Sequence, residues 1–208
     1  MTRQSLISLL TCIPAAFLAA AIPAQASLML TTAGTNDGFS LTTFVSGYNA
    51  EYGPLAQGIA PDGNVVTGSL LNGRIYVFKD VDGQTLSSAL SSVPYTAQTG
   101  NPNYAMTTAG GQVYGAQLAG GVYEHFANDG TFTPIPNLQA AGLLNNLGMW
   151  GDPINGHILA ASTKGLVDID PVAGAYRVIV AGLSPDGVTV SPDGTIAYVE
   201  VGGTIQSY

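Results

Sequence analysis

Glycine recurs in this chain in two interleaved series, and that recurrence narrows the possible folds more than any other feature. One series stands in LLNGRIYVF (70–78), LAGGVYEHF (118–126), TKGLVDID (163–170) and VGGTIQSY (201–208), each a glycine turn followed by alternating apolar residues. Aligned on Gly73, Gly121, Gly165 and Gly203, the segments lie 48, 44 and 38 residues apart. A small sheet repeated along the chain accounts for such spacing better than one continuous fold. The other series precedes it: APDG ends at Gly63, TAGG at Gly111, PING at Gly156 and SPDG at Gly194. Asp or Asn in such turns bonds to its own backbone while Gly accepts positive φ, so each pair of landmarks encloses strand, turn and strand.

Further turns at Asp82 and Gly83, Asp129 and Gly130, and Ala173 and Gly174 lead towards outer strands expected near 85–87, 131–135 and 175–180. Short apolar segments at 55–60, 104–107, 147–150 and 187–190 supply a first strand for each unit. In RIYVF, Ile75 and Val77 point one way, Tyr76 and Phe78 the other, so both faces are apolar. A sheet packed between two neighbouring sheets needs that composition. The expected fold is all-β, a β-propeller of four-stranded antiparallel blades. The last unit stops inside an apolar strand, so the expectation is an incomplete ring of about four blades over 55–208, continuing past Tyr208. The alternative is a closed ring of four, with residues 40–45 as its closing strand. The linkers 88–103 and 136–146 are expected at one rim, where binding specificity resides.

Residues 1–26 read as a cleavable signal peptide. Arg3 gives a positive start, 6–22 is largely apolar, and Ala24, Gln25 and Ala26 form a small-x-small cleavage site ahead of Ser27. Export makes the protein secreted or periplasmic, with 27–54 as an N-terminal segment before the blades and no membrane span once the leader is removed. Cys12 lies in the leader, so disulfides and cysteine metal sites are excluded from the mature chain. The whole chain carries 13 acidic and five basic residues, a net charge of −8. That balance excludes nucleic acid as a partner, because phosphate contacts need clustered Lys and Arg.

The segment SPDGVTVSPDGTIAYVE (184–200) resembles blades of the six-bladed propeller superfamily that includes SMP-30/gluconolactonase-like, NHL-like and virginiamycin B lyase-like proteins. The resemblance implies that Asp186 faces the central channel and binds one divalent cation, calcium or zinc, if the protein is an enzyme. It leaves Asp193 as a turn residue. Counting eight residues back from Gly194 gives Asp186 in the last unit, and the same count gives Leu55 in the first and Asn103 in the second; in the third the nearest polar candidates, Asn145 and Asn146, are displaced from that register. Asp186, Asn103 and Asn146 are therefore the candidate metal ligands, with Glu51 outside the repeat register. A divalent ion wants about six oxygens, which makes this set thin.

Asp80 to Gly83 does not complete a calcium loop. Asp168 and Asp170 share a strand face, and His125 and His157 are the two imidazoles, in different units. Lyase chemistry needs a positioned base and stabilisation of the anion, which a lone histidine supplies poorly. Tyr95, Tyr104 and Trp150 are candidate rim residues that stack on a ligand, as are Tyr48 and Tyr52; for Trp150 the competing role is packing between blades. Three classes follow: a binding or scaffold module whose partner at the rim or central channel is a small molecule, glycan or protein; a metal-dependent lactone or ester hydrolase; and a virginiamycin B lyase-like lyase.

Overall fold

The computed structural model describes residues 29–48, 53–69, 73–95, 103–117, 122–138 and 140–208. The signal peptide expected over 1–26, Glu51 and Tyr52 lie outside the described residues. The chain divides into two compact units, 1–41 and 42–208. In the first, the described residues hold a short helix, α1 (Thr32–Asn36), capped where Thr31 Oγ1 accepts the Gly34 amide at 3.2 Å. Among the described residues no helix is long and apolar enough to cross a membrane.

The second unit is built of strands. It begins with β1 (Val45–Ser46), β2 (Pro54–Ile59), β3 (Val65–Ser69), β4 (Arg74–Phe78), β5 (Gln84–Thr85) and β6 (Ser91–Pro94). Next come β7 (Asn103–Ala109), β8 (Gln112–Gln117), β9 (Tyr123–Phe126) and β10 (Phe132–Pro134). The remainder holds β11 (Asn145–Gly151), β12 (Ile158–Ser162), β13 (Gly165–Asp170), β14 (Ala175–Ala181), β15 (Val188–Val190), β16 (Ala197–Val201) and β17 (Thr204–Ser207). The sheets follow chain order: β2-β3-β4-β6, β7-β8-β9-β10, β11-β12-β13-β14 and the three-stranded β15-β16-β17, all antiparallel. The first three are four-stranded blades of a propeller and the fourth has three strands, in an array that does not close into a barrel.

The turns form as their residues dictate. Gly63, Gly111, Gly156 and Gly194 all have φ between 70° and 82°. In three of these turns the preceding side chain accepts an amide two residues on: Asp62 from Asn64 at 3.1 Å, Asn155 from His157 at 2.7 Å, and Asp193 from Thr195 at 3.2 Å. Asp193 is thus a turn residue, and bonds from Ser191 and Thr195 hold its carboxyl below the ordinary 3.8.

Neighbouring sheets stack face to face. Val66, Ile75 and Val77 of the first pack with Met106, Val113 and Phe126 of the second. Tyr114, Ala116 and Tyr123 of the second meet Ile158, Val167 and Ile169 of the third. Leu159 and Leu166 then meet Val190, Ala197 and Val199 of the fourth. The third sheet shows why: successive β12 residues face opposite neighbours, and all five are buried.

First strands approach one another most closely, β2 against β7, β7 against β11 and β11 against β15, so they surround the axis. Glycine makes the approach possible. A Cβ on Gly151 would sit 2.0 Å from the Thr108 carbonyl oxygen, and one on Gly148 would sit 2.7 Å from that of Asp186. Two threonines tie the strands across the gap. Thr108 Oγ1 accepts the Ile59 amide at 2.7 Å and donates to the Ile59 carbonyl at 3.0 Å, and Thr107 Oγ1 accepts the Gly151 amide at 2.9 Å.

Three local readings need correction. The outer strand of the first blade is β6, not 85–87; that stretch bends into a 3-10 turn at Leu86–Ser88, where Ser88 Oγ accepts the Thr85 amide at 3.0 Å. The linker 136–146 is not simply a rim loop, because its Leu138 and Leu143 are fully buried between the second and third sheets. Residues 40–45 do not add to the last sheet. Val45 and Ser46 pair in parallel with Gln84 and Thr85, while Phe44 and Tyr48 set their rings edge-on against Phe78 and Tyr76.

Candidate functional site

A hollow of about 810 Å³ runs along β2, β7 and β11. Alternation along β2 turns Leu55, Gln57 and Ile59 outward while Ala56 and Gly58 are buried. Leu147 and Trp150 of β11 join them, with Thr107 and Thr108 of β7. Leu55, Ile59 and Leu147 are each more than a third exposed, and Trp150 is 47% exposed.

Trp150 pairs with Leu159 across the β11–β12 ladder. The core between the third and fourth sheets is nevertheless built from Leu159, Leu166, Val190, Ala197 and Val199, with Trp150 outside it. An indole left half open beside a hollow presents a large flat face for stacking.

The predicted metal ligands share a position in the fold. Asn103 opens β7, Asn146 is the second residue of β11, and Asp186 lies two residues before β15, so the backbone places all three at the same end of consecutive first strands. The side chains of Asn103, Tyr104 and Asn146 lie outside the described residues. Asp186 is exposed, and its amide donates to the Glu200 carbonyl at 3.0 Å. Glu200 shares a small hollow with it; counting from glycines did not reveal this carboxylate, because it comes from the neighbouring strand. Among the described residues no three His, Asp, Glu or Cys side chains come together as a metal-binding group.

Tyr95, expected at the rim, is instead buried. Its hydroxyl donates to Glu124 Oε2 at 2.8 Å, and Gln117 Nε2 donates to Glu124 Oε1 at 2.8 Å. These groups lie between the first two sheets, and the chain reaches them because β6 ends at Pro94 and the Tyr95 amide returns to the Gly73 carbonyl. Burial of such a carboxylate requires this kind of hydrogen-bonded setting.

Asp168 and Asp170, which share a strand face, stand in different settings. Asp168 is 4% exposed and clamped by His157 Nδ1 at 2.9 Å and Arg177 Nε at 2.7 Å, an arrangement that fixes the third sheet. Asp170 caps the following turn by accepting the amides of Val172 and Ala173 at 2.9 Å; the Ala173 bond leads in holding its carboxyl below the ordinary value. His125 bonds Gln112 at 3.0 Å and leans on Tyr114, away from the groove.

Face-to-face four-stranded sheets around their first strands, with an open hollow beside that axis, define a propeller-type protein. Comparison with solved structures agrees on the fold. Selenomethionine-substituted virginiamycin B lyase from Staphylococcus aureus superposes with a TM-score of 0.54 at 13% identity, over 77% of this chain and 56% of that one. A protein from Lactobacillus plantarum gives 0.51 at 21% identity, over 78% and 53%. The Cps50 (Swd1) β-propeller domain of Myceliophteria thermophila gives 0.50 at 14% identity, over 72% and 49%. The chain thus spans about half the length of these structures. No protein-family model matches it, and no curated protein does.

Proposed function

We propose that this propeller is an exported binding module that takes its ligand in the groove along β2, β7 and β11, with Trp150 as the stacking platform. One observation carries the reading: the chain's single tryptophan is half exposed at the groove, while the largest fully buried side chains among the described residues are aliphatic, Tyr and Phe, with Gln117 and Glu124. A hollow with an apolar wall and a few polar groups is the usual form of a small-molecule site.

A metal-dependent hydrolase is the second reading, supported by the common position of Asn103, Asn146 and Asp186 on successive first strands. Metal analysis of the purified protein separates the two. The binding reading expects a ligand titration to shift Trp150 fluorescence saturably, in Asp186→Ala as in the unaltered protein. About one equivalent of divalent ion, lost in Asp186→Ala together with esterase activity, would replace it with the hydrolase.

A further inference from the structure

We infer that the groove's ligand is a small molecule with a flat apolar or aromatic face and no negative charge. The inference names the chemistry of the site proposed above and rests on that proposal. Charge gives the first argument. Among the described residues lining the groove there is no Lys, Arg or His, and the charged group is the exposed carboxylate of Asp80. The whole chain is acidic, at −8, so an anion meets repulsion both in the groove and on approach.

Hydrogen-bonding capacity gives the second. A threonine hydroxyl has one proton to donate. That of Thr108 is directed at the Ile59 carbonyl, and its oxygen also accepts the Ile59 amide; the Thr107 oxygen accepts the Gly151 amide. The groove's remaining polar side chains are Gln57 and Asp80. A sugar carries a hydroxyl on most of its carbons and loses free energy wherever one is desolvated without a partner. With Gln57, Asp80 and the Thr107 proton as its side-chain partners, this wall matches few of an oligosaccharide's hydroxyls.

Shape gives the third. Leu55, Ile59, Leu147 and Trp150 present apolar surface to a hollow of about 810 Å³, which suits a ligand of drug-like size. A conjugated ring system lying on the indole and flanked by these aliphatic side chains removes the largest apolar area from water.

A matched pair of probes tests this on the full exported chain. N-phenyl-1-naphthylamine is neutral, and 8-anilinonaphthalene-1-sulfonate has the same rings plus an anionic group. The neutral probe is expected to bind saturably, quench Trp150 emission, and bind at least about tenfold more tightly than the sulfonate. Asp80→Asn, at an exposed turn, is expected to narrow that gap, and cellohexaose is expected to leave the bound probe in place. Equal or tighter binding of the sulfonate, or displacement by cellohexaose, overturns the ligand class while leaving the groove as the site. If neither the probes nor the sugar perturbs Trp150 in protein whose circular dichroism shows intact β structure, the binding site itself is wrong.

Discussion

The first and fourth sheets descend from the same turn-strand-turn pattern, yet they meet solvent differently. The first is buried on both faces. Its Val66, Ile75 and Val77 pack on the second sheet, and its opposite face, Tyr76 and Phe78, lies under Phe44 and Tyr48. The fourth packs one face on the third sheet and leaves Tyr198 and Ile205 exposed on the other, Ile205 at 76%. A blade of this size does not stabilise itself, so its contribution depends on what lies against each face.

The largest expected effect breaks that comparison at its buried side. Phe78→Ala removes a fully buried ring and is expected to destabilise by about 3–5 kcal/mol, while Ile205→Ala on the open face stays within about 0.5 kcal/mol. Urea unfolding of both variants measures the difference, and similar losses would mean that the two faces are equally covered.

Next comes the axis, where the first strands approach closely at glycines. Gly151→Ala forces a methyl against the Thr108 carbonyl and is expected to lower stability by about 1–3 kcal/mol or more, whereas Gly203→Ala, with open space around its Cβ position, suffers only its left-handed backbone cost of about 1 kcal/mol. The same unfolding assay ranks the pair.

Alkaline titration addresses the cap on the first sheet alone. Burial pushes the Tyr48 phenol from 10.0 up to about 12, against the lowering effect of its hydrogen bond with Thr67. Because the folded value is raised, the stabilisation is fully present below pH 10 and is lost as pH climbs towards about 12. Tyr48→Phe is expected to remove this alkaline component, read as the pH dependence of unfolding between pH 9 and 12.

The smallest effect is at acid pH. Hydrogen bonds from Thr131, Ala173 and Ser191 lead in holding Asp129, Asp170 and Asp193 below the ordinary 3.8, so their contribution is complete above that value and disappears as pH falls through the depressed ones. These side chains are exposed, so a shallow decline below about pH 4 is expected, and Asp129→Ala is expected to flatten part of it.

Much of this fold was legible in the sequence. Positive-φ glycines, Asx turns and two-faced apolar strands are local signals, and they located the first strands, β10 and β14. The alternative of a ring closed by residues 40–45 fails because that stretch has the composition of any edge strand; Val45 pairs with Gln84 and Phe44 covers Phe78 instead. Turn-rich flanks conceal that Leu138 and Leu143 plug the space between the second and third sheets. The site was legible in part. Trp150 was a candidate, but periodicity does not show that its ring stays half exposed, and Tyr95 is held inward by Glu124, a partner 29 residues away.

Hydrogen exchange along the chain tests the central claim most directly, that face coverage by neighbours sets the stability of each blade. Amides of β4 are expected to exchange as slowly as those of β13, both sandwiched, while those of β17 exchange orders of magnitude faster despite the shared repeat pattern. Protection of β17 equal to that of β4 would contradict the account.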